Sequence, residues 1–403
     1  MRSLPPLAAV SAGLLAAFVG FTSSFSVVLQ GLVGVGASQA EAASGLMAIS
    51  VAMGAGSVLL STRYRMPIIV AWSTPGAALL AGSGLSHGDF ATAVGAFLFA
   101  GLLVVAAGVV RPLGRLIAAI PASVANAMLA GILFSLCLAP VKAIAAEPVA
   151  GVAIALVWVV VGRLNRLLAV PAAALVAISA ILLKSGGDLG GGSLLPHPVL
   201  VTPVFDVQSA IGIGFPLFLV TMASQNIPGL AVLRIHGYEP SPGPLFATTG
   251  VLSLLCAPFG GVTANLAAIT AAICAGEEAG HDPSRRWWAG VVTGITYIVC
   301  GLGAGAMTAF ASLSPLLIEA AAGLALVGTL ANALQAATAA PEERTAAAVT
   351  FLTAASGVAF AGISAPFWGL IAGCAIYAVF RPRPARSAEV SEEGALSGSA
   401  RPT

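Results

Sequence analysis

Two short stretches hold most of the chemistry available to this sequence, Ser73-Thr74-Pro75-Gly76 and Thr263-Ala264-Asn265, each where a helix-poor run gives way to an Ala-rich one. In the first, Ile68 to Trp72 is β-branched and aromatic, and Ser73-Thr74-Pro75 then offers an N-cap and a first-turn proline. In the second, Phe259-Gly260-Gly261-Val262 is poor helix, and Thr263 is the expected cap of the Ala-rich run behind it. A helix that begins inside a membrane leaves its first N–H groups free and its positive dipole end bare. Thr74 to Ala77 and Thr263 to Leu266 can therefore hold a carboxylate without a buried arginine, each end contributing ~0.3 to 2 kcal/mol. A Pro or Gly kink tolerated by packing is the alternative reading of either stretch taken singly.

Polar clusters elsewhere supply walls for such a site. Thr22-Ser23-Ser24 and Ser224-Gln225-Asn226 lie at corresponding depth in two apolar runs. Unpaired amides in lipid are costly, so Gln225 and Asn226 face a cavity or serve as interhelical hydrogen-bond partners. Phe21, Phe25, Trp72 and Phe259 flank these clusters; they pack ordinarily or sandwich an aromatic ring, an offset or edge contact worth ~0.5 to 1.5 kcal/mol. Among the acids, Glu319 falls within an apolar run and Glu41 at the edge of one. An intramembrane carboxylate is a functional suspect, here a proton carrier, unless it reaches back to the interface. The four histidines sit in loops or at segment ends, and the five cysteines lie in apolar runs without metal-ligand spacing. No metal-binding His pair, P-loop or Gly-x-Ser-x-Gly turn is present, so neither an enzyme nor a metal or cofactor is expected.

The elements that position these residues must be membrane helices. Of 403 residues 58% are hydrophobic and 8% charged, with a mean hydropathy of +1.01. Lipid is the solvent implied by that composition. The formal net charge of +2, scattered between apolar runs, gives no footprint for nucleic acid. Apolar runs read as spans at 7–31, 42–62, 66–82, 90–110, 121–141, 148–162 and 167–183, then, after a polar Gly-rich stretch from Lys184 to Asp206, at 209–233, 244–258, 259–276, 287–310, 315–336, 345–361 and 363–380. The first reads as a retained helix and not as a cleaved signal. With a cytoplasmic N-terminus this parse puts the arginines on the cytoplasmic side and only Lys142 and Lys184 opposite. The chain is thus expected to be an all-α polytopic membrane protein with about 14 transmembrane segments, both termini cytoplasmic, in the bacterial inner membrane. Seven plus seven implies an inverted repeat. Segments 3 and 10 are expected to break into a short extended strand plus a half-helix: ~16 Å of helix and ~16 Å of extended chain together span the ~30 Å core, and neither crosses alone. Opposed half-helices would aim their N-termini at one cavity.

The run Thr221 to Gly229 (TMASQNIPG), with Pro75-Gly76 and Thr263-Ala264-Asn265, resembles the BenE family of benzoate/proton symporters, over about Leu7 to Phe380. The resemblance implies a fold similar to nucleobase transporters. Residues 1–110 and 209–310 would form a core domain, 111–184 and 311–380 a gate domain, 185–208 a periplasmic linker and 381–403 a disordered cytoplasmic tail. It also implies import of benzoate or a similar small aromatic carboxylate with a proton, by movement of core against gate. Other carriers (a different small anion, a nucleobase) and a passive anion channel remain open. The substrate-binding set is expected to be Ser23, Ser24, Phe25, Ser73, Thr74, Pro75, Gly76, Ser224, Gln225, Asn226, Thr263, Ala264 and Asn265. Nucleobase relatives usually place acids in segments 8 and 10, whereas this chain offers Gln225, Asn226 and Asn265, which suit an anion better. The proton would then ride on Glu319 or enter on benzoate as the neutral acid. Lipid surrounds the protein, and a homodimer is common in similar folds.

Overall fold

The computed structural model describes residues 5–380 except 84–88, 111–119, 167, 186–194, 359 and 361–364. The cytoplasmic tail expected at 381–403 lies outside the described residues. The chain is a mostly helical, multi-pass membrane protein. Among the described residues, seven helices have the length and apolarity to cross a membrane: Leu7–Gly34, Gln39–Tyr64, Phe90–Val109, Ala122–Ala146, Val207–Ile235, Pro242–Phe259 and Pro315–Ala337. Shorter apolar helices cover Pro148–Leu164, Ala169–Lys184 and Ala365–Phe380.

The first run is not one rod. It divides into Leu7–Thr22 (α1) and Phe25–Gly34 (α2), because Ser24 leaves helical geometry at φ −147° and ψ 0°. The third helix, Gln39–Tyr64 (α3), begins at a capping box in which Ser38 accepts from the Glu41 N–H and Glu41 accepts from the Ser38 N–H. Glu41 is thereby occupied as a cap. Arg65, with φ 54°, ends the helix.

Residues 66–83 comprise a strand, Val70–Trp72 (β1), and a helix, Thr74–Ser83 (α4). After Phe90–Val109 (α5), Ala122–Cys137 (α6), Ala139–Ala146 (α7), Pro148–Leu164 (α8), Ala169–Ser185 (α9), Val207–Ile235 (α10) and Pro242–Cys256 (α11), a second strand follows at Ala264–Leu266 (β2), then a short helix at Ile269–Ala275 (α12). This second helix starts at Ile269, later than the expected cap at Thr263, because Ala264 to Leu266 is held extended by pairing with β1. The pairing is antiparallel, with Val70 opposite Leu266, Ala71 opposite Asn265 and Trp72 opposite Ala264. Ser73 N–H donates to Thr263 O (3.0 Å) and Ala267 N–H to Ile69 O (2.9 Å), continuing the ribbon at both ends.

The surroundings of the ribbon are duplicated about its centre. Ser57 of α3 accepts the N–H of Val70, the first residue of β1, at 2.9 Å; Ser253 of α11 accepts the N–H of Ala264, the first residue of β2, at 2.8 Å. Each serine also donates to the carbonyl four residues back, Met53 and Thr249. Glycine crossings repeat as well. A Cβ on Gly54 of α3 would lie 2.5 Å from Gly294 O in Trp287–Leu302 (α13), and a Cβ on Gly108 of α5 would lie 2.7 Å from Gly243 O in α11. Backbones approach this closely only where both partners lack a side chain, the usual basis of close helix packing in lipid.

Helix α10 contains two π-helical turns, Ala210–Gly214 and Met222–Asn226. The remaining helices are Ala304–Leu313 (α14), Pro315–Ala337 (α15), Arg344–Ala355 (α16) and Ala365–Phe380 (α17). Helices α8, α9 and α15 share a separate apolar cluster around Ile154, Ala177, Ile181 and Leu317. The described part of the 185–208 stretch does not hang free: Val199, Val201 and Val204 donate to Ser44 Oγ, Pro258 O and Ala91 O.

Candidate functional site

At the crossing of the two broken segments the structure gathers Ser73, Thr221, Asn226, Thr263, Ala264 and Asn265, all buried. Ser73 Oγ accepts from the Gly76 N–H (3.1 Å) and from the Thr221 hydroxyl (3.0 Å), and Thr221 Oγ1 lies 3.0 Å from Thr263 Oγ1. Three hydroxyls from three segments thus form one chain beneath the start of α4. Asn226, in the π turn of α10, accepts the Leu266 N–H on Oδ1 (2.8 Å) and directs Nδ2 at Met222 Sδ (3.1 Å).

These bonds overturn the expectation of free amides. Pro75 has no N–H, Gly76 is capped by Ser73 Oγ, and the Ala77 N–H donates to Ser73 O. In β2, Ala264 and Leu266 donate to Ser253 and Asn226. The chain itself satisfies these donors, as buried backbone requires. Asn265 also differs from a donor poised for an anion: Nδ2 bonds Leu266 O, and the atom without a partner among the described residues is the acceptor Oδ1. Thr74 is half-buried, whereas Pro75 and Gly76 are buried; a Cβ on Gly76 would strike Leu217 at 2.6 Å.

The aromatic side chains fill each other's space. Phe21 stands edge-on to Trp72 with centroids 5.1 Å apart and stacks on Phe25 at 6.1 Å. Trp72 Nε1 donates to Ser24 Oγ at 2.8 Å, pinning the break between α1 and α2 onto β1. Ser23 and Ser24 both donate to Gly20 O. Phe259 lies apart from this cluster, in a 3-10 turn whose carbonyl accepts from Ser44. Ser224 and Gln225, in the same π turn as Asn226, are half-buried.

A cavity of about 770 Å³ opens beside the crossing, between α2 and α4 on one wall and α6, α7 and α15 on the other. That volume is in the range of small-molecule sites. Its polar lining comprises Ser26 and Gln30 of α2, Gln39, Ser135 of α6, Lys142 of α7, Thr308 of α14 and Glu319 of α15; Leu29, Ala78, Ile132 and Leu136 supply much of the apolar surface. None of the thirteen residues expected to bind substrate lines it, whereas Glu319 does. Gln30 was legible as a lone amide in the apolar run from Phe25 to Gly34, by the reasoning that singles out Gln225. Lys142 draws attention in the sequence only as an exception to the charge asymmetry. Among the described residues no group of three His, Cys, Asp or Glu side chains could hold a metal.

Residues 4–379 match the family model described as BenE, benzoate membrane transport protein. The chain is 39% identical over 381 residues to "Inner membrane protein YdcO" of Escherichia coli strain K12, covering 94% of this chain and 96% of that protein. It is 30% identical over 378 residues to "Benzoate membrane transport protein" of Acinetobacter baylyi, covering 92% and 94%. In fold it is similar to the transmembrane domain of the cyanobacterial bicarbonate transporter BicA (TM-score 0.58, 16% identity, 93% of this chain and 96% of that one). It is also similar to SLC26A9 (TM-score 0.59, 17% identity), where it covers 92% of this chain and 65% of that one.

Proposed function

The chain belongs to the BenE family of benzoate membrane transport proteins, and from that premise we propose that it imports benzoate or a similar small aromatic carboxylate together with a proton. It is a transporter and not an enzyme. The observation that carries the proposal is the 770 Å³ cavity, where a membrane-span carboxylate, Glu319, and an ammonium, Lys142, share a mostly apolar chamber. An anion drawn toward Lys142 meets apolar walls that suit a ring, and Glu319 supplies a place for the accompanying proton. The buried crossing of β1 and β2 does not line this cavity; Ser73, by accepting the Gly76 N–H, anchors the start of α4, whose later residues do.

In this reading 1–110 and 209–310 act as the core and 111–184 and 311–380 as the gate, in a 14-segment inverted repeat. The cavity between them is exposed alternately to the two sides as one moves against the other. The arginine distribution favours an orientation with both termini in the cytoplasm, in which the Lys142 end of the cavity faces the periplasm. One proton with one monovalent anion moves no net charge, so a pH gradient drives uptake and the membrane potential does no work.

Radiolabelled benzoate uptake into proteoliposomes, with pH gradient and voltage set independently, tests substrate and coupling together. Accumulation above equilibrium under an inward proton gradient, unchanged by voltage, is the expected outcome. Equilibration without accumulation would indicate a channel, and voltage-sensitive accumulation would refute one-to-one coupling. Competition by bicarbonate or uracil, but not by benzoate analogues, would reassign the substrate. Glu319→Gln is expected to abolish uphill uptake while leaving benzoate exchange intact; undiminished accumulation would leave the neutral acid as the form carried.

A further inference from the structure

One residue of the cavity wall carries a donor with no partner among the described residues. Gln30 lies in the middle of α2 on the face that lines the cavity, one turn beyond Ser26. Its Nε2 is buried and donates to no acceptor among the described residues. A buried amide N–H left unpaired is a standing cost, and native proteins keep such groups rare.

The helix that carries Gln30 is also fixed in place. A Cβ on Gly31 would lie 2.6 Å from Ala77 O, and one on Gly34 would lie 3.0 Å from Ala81 Cα, so α2 is seated directly on the backbone of α4. The donors expected to meet an anion near this position, the N–H groups of Gly76 and Ala77, are already bonded within the chain. Across the cavity stand Glu319 and, at its exposed end, Lys142.

We propose that Gln30 is the specificity-determining donor for the substrate, its side-chain amide bonding a carboxylate oxygen of the bound aromatic acid in a subsite between α2 and α15. The inference rests on the transport function proposed above and names the residue that reads the carboxylate. Rotation about the terminal χ3 torsion, which is broad, lets Nε2 reach a ligand in the cavity without moving α2. Leu29, Ile132 and Leu136 provide the apolar surface for the ring. The anion then gains a charge-assisted hydrogen bond, and the amide gains the acceptor that the described residues do not supply.

The test is benzoate titration of the purified full-length chain by calorimetry, with melting temperature measured in parallel, for wild type, Gln30→Met and Gln30→Glu. Methionine keeps the length and removes the donor. Gln30→Met is expected to melt at or above the wild-type temperature without ligand, yet to bind benzoate ~10- to 100-fold more weakly, the range for a hydrogen bond to a charged group. A purely structural glutamine would lower the melting temperature and leave affinity alone. Gln30→Glu should bind benzoate only at acid pH, where the new carboxyl is protonated and can donate. Wild-type affinity in Gln30→Met overturns the role of Gln30 and leaves the substrate assignment standing, whereas a wild type that does not bind benzoate overturns both. If Gln30→Met is not monodisperse, Gln30→Glu decides: binding independent of pH overturns the proposal.

Discussion

Asn226 and Asn265 show how little residue type says about role in a membrane interior. Both are amides at the crossing and both are fully buried, yet Asn226 is consumed in bonding the Leu266 N–H while Asn265 keeps an orphan acceptor. Replacing Asn226 by Leu leaves the Leu266 N–H without its partner, and a loss of ~1 to 3 kcal/mol is expected. A lower melting temperature in detergent checks this, and an unchanged one would mean that another acceptor moves in. Lys142 is expected to act by charge and at longer range. Exposed at the end of the cavity, it should speed anion capture; Lys142→Gln is expected to raise the benzoate KM several-fold at low ionic strength and to flatten its salt dependence. Parallel salt profiles for the variant and the wild type would exclude a role in capture.

At the scale of elements, the two strands are too short to be stable alone, and their support comes from neighbours. Ser57 and Ser253 do equivalent work from helices α3 and α11, each accepting the first N–H of a strand. Ser57→Ala and Ser253→Ala are each expected to cost ~1 to 3 kcal/mol. Because both serines hold one ribbon, the double variant should depart from additivity; strict additivity in melting experiments would show that the strands are supported independently. The helix break at Ser23-Ser24 has a similar origin. An isolated helix would run through these residues, and it is the Trp72 to Ser24 hydrogen bond, between residues far apart in sequence, that favours the interruption.

For the molecule as a whole, the cavity must open to one side at a time if it carries a solute against a gradient. In a chain freed of its native cysteines, Ser135→Cys is expected to react with a membrane-impermeant maleimide added from the periplasmic side, and benzoate should slow the reaction. Labelling only from the cytoplasmic side would invert the orientation inferred from the arginines.

Composition alone determined the solvent and the class of element, because mean hydropathy and the length of apolar runs are sums over the chain that need no contacts. The start of α4 is similarly local: a β-branched and aromatic run ending in Ser-Thr-Pro carries its own strand and cap signals. The later start of α12 at Ile269 has no such cause, since it follows from pairing with a strand nearly two hundred residues earlier. The fate of each donor was likewise settled only in three dimensions. Thr221 meets Ser73 across 148 residues and Asn226 meets Leu266 across 40, so amides that look free in the sequence are occupied, while Gln30, in an apolar run, lines the space where a ligand can sit and has no partner for its Nε2 among the described residues. Hydrogen-bond satisfaction is a property of neighbours in space, and a linear sequence does not contain that information.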